Sequence, residues 1–397
     1  MKSFDLYESF NINRILLLAI GLWPYQRSKL VHQCQLLLIY TILISFIAFQ
    51  LTTFVTAECT LNITIKILSS TLFFIMHMVH YNSFLTNGQS VKHLMEQLQR
   101  ICNDLKDEKE IAIIKKYGNN AKLYTIALTG ASISGTFVIF SLPIWSYILD
   151  VVLSTNKSTV YRTTQIMTEY FIDAEKYFYF ILLHMDASYF IGCTIVIATG
   201  TLFVAYVQYA CGIFKIASYR IEQALSYDIL RRIGPKNEIM IHKEIIYAVD
   251  IHRKAMKFSE FMITSFKGLF SFLIVTGVIS LSLNLFLILQ ILSFGGDMGE
   301  LLFHLSYLII VVVYMFIASY ISQEIMDHNN HVFITTYNVR WYLASLHTQK
   351  MILFLLQRGN KSFTLNLGNI FIGSLQSFAS MVNISISYFT VIYSTQK

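Results

Sequence analysis

Seven stretches of the chain stay apolar long enough to cross a bilayer: 36–57, 67–85, 123–149, 181–205, 268–294, 301–323 and 364–393. A helix of about 20 apolar residues spans the roughly 30 Å of hydrocarbon, so the pattern predicts an all-α membrane protein with seven transmembrane helices. The segments 86–122, 206–267 and 324–358 keep apolar residues at helical spacing beyond the spans, which predicts helical extensions that pack together outside the bilayer. Lys106-Asp107-Glu108-Lys109-Glu110 mixes both signs without Pro, so 86–122 is expected to run as helix continuous with its flanking spans. Gly234-Pro235 breaks the second extension. With no repeat, low-complexity tract or flexible linker, residues 1–397 read as one domain. Near the start, Ile15 to Leu22 forms an apolar run behind Lys2 and Arg14, but Asp5 and Glu8 precede it and no small-residue cleavage site follows. It is expected to be retained, either as an interfacial or re-entrant helix or as ordinary packed helix.

Charge assigns sides to these spans. Of the 30 Lys and Arg, 25 fall on the side that holds the N-terminus, and only Lys157, Arg162, Lys176 and Lys397 fall on the other, with Lys66 at a span edge. Basic residues are retained in the cytoplasm during insertion, which predicts a cytoplasmic N-terminus and an extracellular C-terminus. A G-protein-coupled receptor runs the opposite way.

Composition agrees with a membrane class, since 55% of residues are hydrophobic and 13% charged, where soluble domains carry about 25% charged. The net charge of +7 resides in the cytoplasmic segments and speaks for contact with anionic lipid, not for nucleic acid. Cys34, Cys59, Cys102, Cys193 and Cys211 are scattered, only Cys59 is expected near the outer face, and no extracellular disulfide or metal spacing is read from them. Of the sequons, Asn156-Lys157-Ser158 lies in the long external loop 150–176 and is the expected glycosylation site. Asn62 is too close to the bilayer, Asn360 is cytoplasmic and Asn383 lies within a span.

The last span carries a distinctive edge. Asn366, Asn369, Gly373, Gln376, Ser380, Asn383, Ser387, Thr390 and Ser394 follow at alternating steps of three and four, with no charged residue from Ser362 to Gln396. That spacing places all nine on one face, while Phe371, Ile372, Leu375, Phe378, Val382, Ile386 and Phe389 fall largely elsewhere. Hydrocarbon satisfies neither amides nor hydroxyls, so the face meets water, as the lining of a pore shared between subunits, or another helix in a tight seam. An uncharged lining would give a permissive path for hydrated cations.

His77, His80, His184, Asp186 and His304 lie within spans, where ionisable groups are functional candidates or hydrogen-bonded helix contacts. Aromatic residues make up 15% of the chain and gather toward the outside at Phe73, Phe74, Phe137, Phe140, Tyr177 to Phe180, Tyr189, Phe303 and Tyr307. Such rings suit a cavity for a small lipophilic or volatile ligand, or an interfacial belt. No GxSxG, HExxH, Walker or GxGxxG arrangement is present, and neither an enzyme nor a cofactor or metal is expected.

The inverted seven-span layout, Tyr337-Asn338-Val339-Arg340-Trp341 and the ending Ser387-Tyr388-Phe389-Thr390-Val391-Ile392 resemble insect odorant receptors over essentially the whole chain. The resemblance implies a subunit of a ligand-gated, non-selective cation channel, assembled with a shared co-receptor into a tetramer in the plasma membrane of a sensory neuron dendrite. It implies a pore helix within 362–396, lined by Gln376, Ser380, Asn383 and Ser387, with gate positions at Val391 and Thr395. Thr395 departs from the Leu of the co-receptor. The extensions carrying Tyr337 and Trp341 would anchor the subunits to one another. The co-receptor has a long insertion in its second cytoplasmic connection for which 215–267 is too short, which implies a tuning subunit. In the family the ligand site lies in the outer half between spans two, three, four and six, within 61–200 and 300–315. Matched positions here are Ser70, Phe73, Phe74 and His77; Gly135 and Ile139; Phe180, His184 and Met185; and Tyr307 and Val311.

Gustatory receptors share the layout but end in a Thr-Tyr-apolar run closed by Gln-Phe, whereas this chain has Ser387-Tyr388 and ends Thr395-Gln396-Lys397. A G-protein-coupled receptor would need an external N-terminus, and Pro24, Pro143 and Pro235 leave spans five to seven without proline kinks. No paired broken helices or internal symmetry point to a transporter.

Overall fold

The computed structural model describes residues 9–26, 28–58, 60–153, 166–226, 235–294, 298–359, 363–367 and 371–395. The glycosylation candidate Asn156, Cys59 and the stripe residue Asn369 lie outside the described residues. In chain order the helices are α1 (Asn11–Ala19), α2 (Lys29–Leu51), α3 (Thr53–Thr56), α4 (Leu61–Thr86), α5 (Gly88–Asp104), α6 (Glu108–Leu153), α7 (Phe178–Ala224), α8 (Pro235–Ser265), α9 (Lys267–Phe294), α10 (Met298–Asn338), α11 (Leu346–Gly359) and α12 (Leu375–Ser394). Among the described residues, seven segments are long and apolar enough to cross a membrane: α2 with α3, then α4, α6, α7, α9, α10 and α12.

The extensions are helical, as the periodicity predicts. The second and third arise largely by continuation, because α7 and α10 run on past their apolar portions. The first is continuous with span three, inside α6, but Asn87 separates it from span two and residues 105–107 interrupt it. Pro235 opens α8, where a missing N–H removes no intrahelical bond. The lower half of α7 is sheathed on all sides, with an unbroken buried run from Thr201 to Phe214. A helix apolar all round needs such a sheath, and α6, α8 and α10 supply it.

The run near the N-terminus is packed helix. Leu17 and Phe10 are buried, Phe10 stacks on Tyr209 with centroids 5.4 Å apart, and the Asn13 amide donates to Thr201 Oγ1 at 3.0 Å.

The seventh span starts later than its pattern suggests. Asn366–Leu367 (β1) pairs antiparallel with Phe371–Ile372 (β2), and Gly373 N donates to Leu365 O at 2.8 Å. The helix begins only after Ser374, whose hydroxyl accepts from Ser377 N. Asn366 and Gly373 therefore belong to the hairpin, although the period of three and four runs through them. The motif around Trp341 likewise leaves the helix: α10 ends at Asn338 and Trp341–Leu343 form one 3-10 turn before α11.

Candidate functional site

Ser70, Phe73 and Phe74 repeat on one face of α4, and Phe303, Ser306, Tyr307 and Ile310 on one face of α10. Together with Ile139 of α6, Tyr189 of α7 and Ile166 ahead of α7, these faces enclose an apolar cavity of about 10 Å³. Phe73 is its hub, with ring centroids 4.6 Å from Tyr307, 5.8 Å from Tyr189 and 4.3 Å from His77. The Tyr307 hydroxyl donates to the Ser69 carbonyl of α4 at 3.2 Å and lies 3.5 Å from the Ser280 hydroxyl of α9. The volume holds about one water-sized sphere, so this state of the pocket is closed around its own side chains.

Five of the positions matched from sequence, Ser70, Phe73, Phe74, Ile139 and Tyr307, line this cavity. His77, Met185 and Val311 are buried without lining it. His77 packs on α7 where Gly192 permits it: a Cβ at Gly192 would stand 2.6 Å from the imidazole. Gly135 is half-buried, with open space where a Cβ would lie. Phe180 stands 70% exposed on the outside of α7. His184 belongs to a different cluster, with Ser45 Oγ of α2 at 3.0 Å on one ring nitrogen and the Tyr170 hydroxyl at 2.7 Å on the other. Sequence reasoning did not select Tyr189 and Phe303, although both stood in the aromatic set. Ser306 and Ile310 follow from the one-turn spacing about Tyr307, and nothing local marks Ile166.

The second region is α12. Its inward side buries Met381 and Ser385, sets Phe378 against Phe316 of α10 at 5.5 Å, and receives at the Ser385 carbonyl a 2.9 Å hydrogen bond from Ser282 Oγ of α9. Gln376, Asn383, Ser387, Thr390, Val391, Ser394 and Thr395 are exposed and Ser380 is partly so. The stripe therefore turns away from the rest of its own chain. Its hydroxyls bond back to their own helix, Ser380 to the Gln376 carbonyl at 3.0 Å and Ser387 to that of Asn383 at 2.9 Å. Carboxamides have two donors and a two-lone-pair acceptor that such back-bonding does not exhaust, so Gln376 and Asn383 carry the polarity of this face.

The two regions meet through α9. Its buried Ser280 faces the pocket tyrosine, and two residues on, around the other side of the helix, Ser282 donates to the Ser385 carbonyl of α12. At the end of α10 remote from the pocket, Tyr337 is 68% exposed and Trp341, half-buried, donates from Nε1 to the Tyr337 carbonyl at 3.2 Å.

The chain matches the model of the 7tm Odorant receptor family over residues 60–386. Among curated proteins it is 25% identical over 161 residues to Odorant receptor 46a, isoform B, of Drosophila melanogaster, covering 40% of this chain and 42% of that one. It is 22% identical over 114 residues to Odorant receptor Or2 of Anopheles gambiae, covering 29% and 30%. The chain thus spans less than half the length of the curated relatives it matches. The fold is that of the insect olfactory receptor OR5 from Machilis hrabei. With eugenol bound, that structure gives a TM-score of 0.76 at 16% identity, covering 98% of this chain and 97% of the other. Without the ligand it gives 0.75 at 15%, covering 98% of each.

Proposed function

The chain belongs to the 7tm odorant receptor family, and from that premise we propose that it is a ligand-specific tuning subunit of a non-selective cation channel, opened by a small lipophilic odorant. It sits in the plasma membrane of a sensory dendrite with the N-terminus inside, and assembles with a shared co-receptor into a tetramer. The observation that carries this reading is the uncovered amide and hydroxyl face on a span-length helix. Lipid is a poor surrounding for Gln376 and Asn383, and a water-filled axis between subunits is a good one. Val391, 58% exposed near the C-terminal end of the polar stripe, suits a hydrophobic constriction that closes by dewetting, with Thr395 contributing less.

The ligand class follows from the cavity wall, which is aromatic and aliphatic with the Ser70, Ser306 and Tyr307 hydroxyls for orientation. The neighbouring olfactory receptor was solved with eugenol, a molecule of that chemistry. A ligand larger than water needs Phe73 and Tyr307 to separate. It opens the channel to the extent that it binds the separated arrangement better than the closed one. Moving Tyr307 loosens its link to α9, and α9 holds α12 through Ser282. Tyr337 and the turn at Trp341 supply exposed apolar surface for the subunit anchor.

Co-expression with and without a co-receptor, recording current against a chemically broad panel, tests the proposal. Ligand-evoked current that needs the partner and survives G-protein blockade is expected. A metabotropic response with an N-terminal tag reached from outside intact cells would refute it.

A further inference from the structure

We propose that Cys211, Glu324 and His328 form a binding site for a divalent transition-metal ion of borderline softness, Zn2+ foremost. Cysteine and histidine spacing along the chain predicts no metal site, because the three residues come from two helices far apart in sequence. The fold brings them together: one ligand atom from each lies within 4.8 Å of the others. Cys211 is fully buried on α7. Glu324 and His328 stand one turn apart on α10, their side chains 28% and 21% exposed, so an ion has a way in from the rim and the thiol waits at the bottom.

Three further features fit a ligand set better than a chance contact. His328 Nδ1 lies 2.8 Å from the Glu324 carbonyl, an acceptor only, so Nδ1 carries the proton. The free electron pair is then on Nε2, held at 2.8 Å by the Tyr117 hydroxyl of α6; Nδ1 is the nitrogen that stands 3.8 Å from Glu324 Oε2, so ligation through Nε2 needs the Glu324 carboxylate to swing along the ring. A histidine whose second nitrogen donates to a carbonyl is oriented as metal-ligating histidines are. Tyr117 is itself set by Gly212, at which a Cβ would stand 3.2 Å from the tyrosine's Cβ. Charge fits as well: a thiolate, a carboxylate and a neutral imidazole together offset a divalent ion, and Asp327 adds a further acid close to Cys211.

Bonds of about 2.3 Å to sulfur and about 2.0–2.2 Å to nitrogen and oxygen place tetrahedral ligand atoms roughly 3.5 Å apart. Closing from the present spacing is within rotamer adjustments of the two part-exposed side chains. Binding breaks the Cys211 S–H bond, forms the metal–sulfur bond and releases the proton to water. The Tyr117 hydroxyl gives up Nε2 and a water completes the coordination. The ion would tie α7 to α10 while releasing α6. This inference does not depend on the channel reading.

The test is titration of the purified full-length chain, stripped with chelator, with Co2+ and then Zn2+. A near-ultraviolet thiolate-to-Co2+ charge-transfer band, displaced by one equivalent of Zn2+, is expected. Cys211→Ser should abolish the band, His328→Gln should weaken Zn2+ binding at least ten-fold, and Cys102→Ser should change neither. Tyr117→Phe, which leaves Nε2 without its competitor, should tighten binding several-fold and gives an independent readout if Cys211→Ser does not fold. Absence of the band in protein that elutes as a folded particle, its persistence in Cys211→Ser, or unchanged or weaker binding in Tyr117→Phe would overturn the proposal.

Discussion

Replacing Tyr307 by Ala should widen the pocket in a way that ligand size reads out directly. The resting cavity is about 10 Å³, and removing the phenol opens roughly 100 Å³ more, at about 24 cal/mol per Å³ of void or about 2.4 kcal/mol. A ligand that refills the space recovers up to that amount, which is about 50-fold in affinity. A ligand no larger than the native one recovers none. The substitution also removes the hydroxyl contacts to Ser69 and Ser280, so resting current is expected to rise together with the change in selectivity. The assay is the concentration dependence of current across a homologous ligand series of increasing bulk, beside surface labelling and sizing of the assembled channel. Bulky members should gain on small ones while assembly is kept. A uniform shift for every ligand, or lost assembly with unchanged rank order, would refute the placement of Tyr307 in the pocket wall.

Three other outcomes follow from the packing. Gly192→Ala drives a methyl to 2.6 Å from the His77 ring, which is held against Phe73, and should cost about 1–3 kcal/mol; an unchanged melting temperature would contradict that close approach. Ser282→Ala removes the 2.9 Å bond to the Ser385 carbonyl, worth about 1 kcal/mol. It should lower maximal current about five-fold at unchanged ligand affinity, whereas an affinity loss alone would place Ser282 with the pocket. His252 on α8 is held below its ordinary value of 6.5 by burial, partly offset by its hydrogen bond to Asn329. Its neutral form belongs to the fold, so its contribution is whole above that value and is lost as pH falls through the lowered one. Melting profiles of wild type and His252→Gln should therefore converge on acidification; parallel profiles would show that His252 does not titrate this way.

What the sequence disclosed follows from periodicity. Ser70, Phe73 and Phe74 share a helical face by spacing alone, and the cavity gathers them with Tyr307. Periodicity names a face but not what covers it, which is why Phe180, one helix turn before His184, turned out to be open to the surroundings. Nor does it say where a helix stops. Asn366 and Gly373 keep the rhythm of the last span while a two-stranded hairpin and the Ser374 cap start α12 at Leu375. Proximity across helices was invisible: Ile166 enters the pocket from outside any span, and Cys211 meets Glu324 and His328 only because α7 and α10 continue side by side beyond their apolar portions.

The central claim is that the polar face of α12 borders the conducting path. Single cysteines at Gln376, Ser380, Asn383, Ser387 and Val391, and for comparison at Val382 and Phe389 on the opposite side of the helix, should be probed with a charged thiol reagent during ligand-evoked current. Block confined to the polar face and Val391 is predicted, with protection in the absence of ligand for positions behind Val391. Block at Val382 and Phe389 with none at Gln376 and Asn383 would contradict the account.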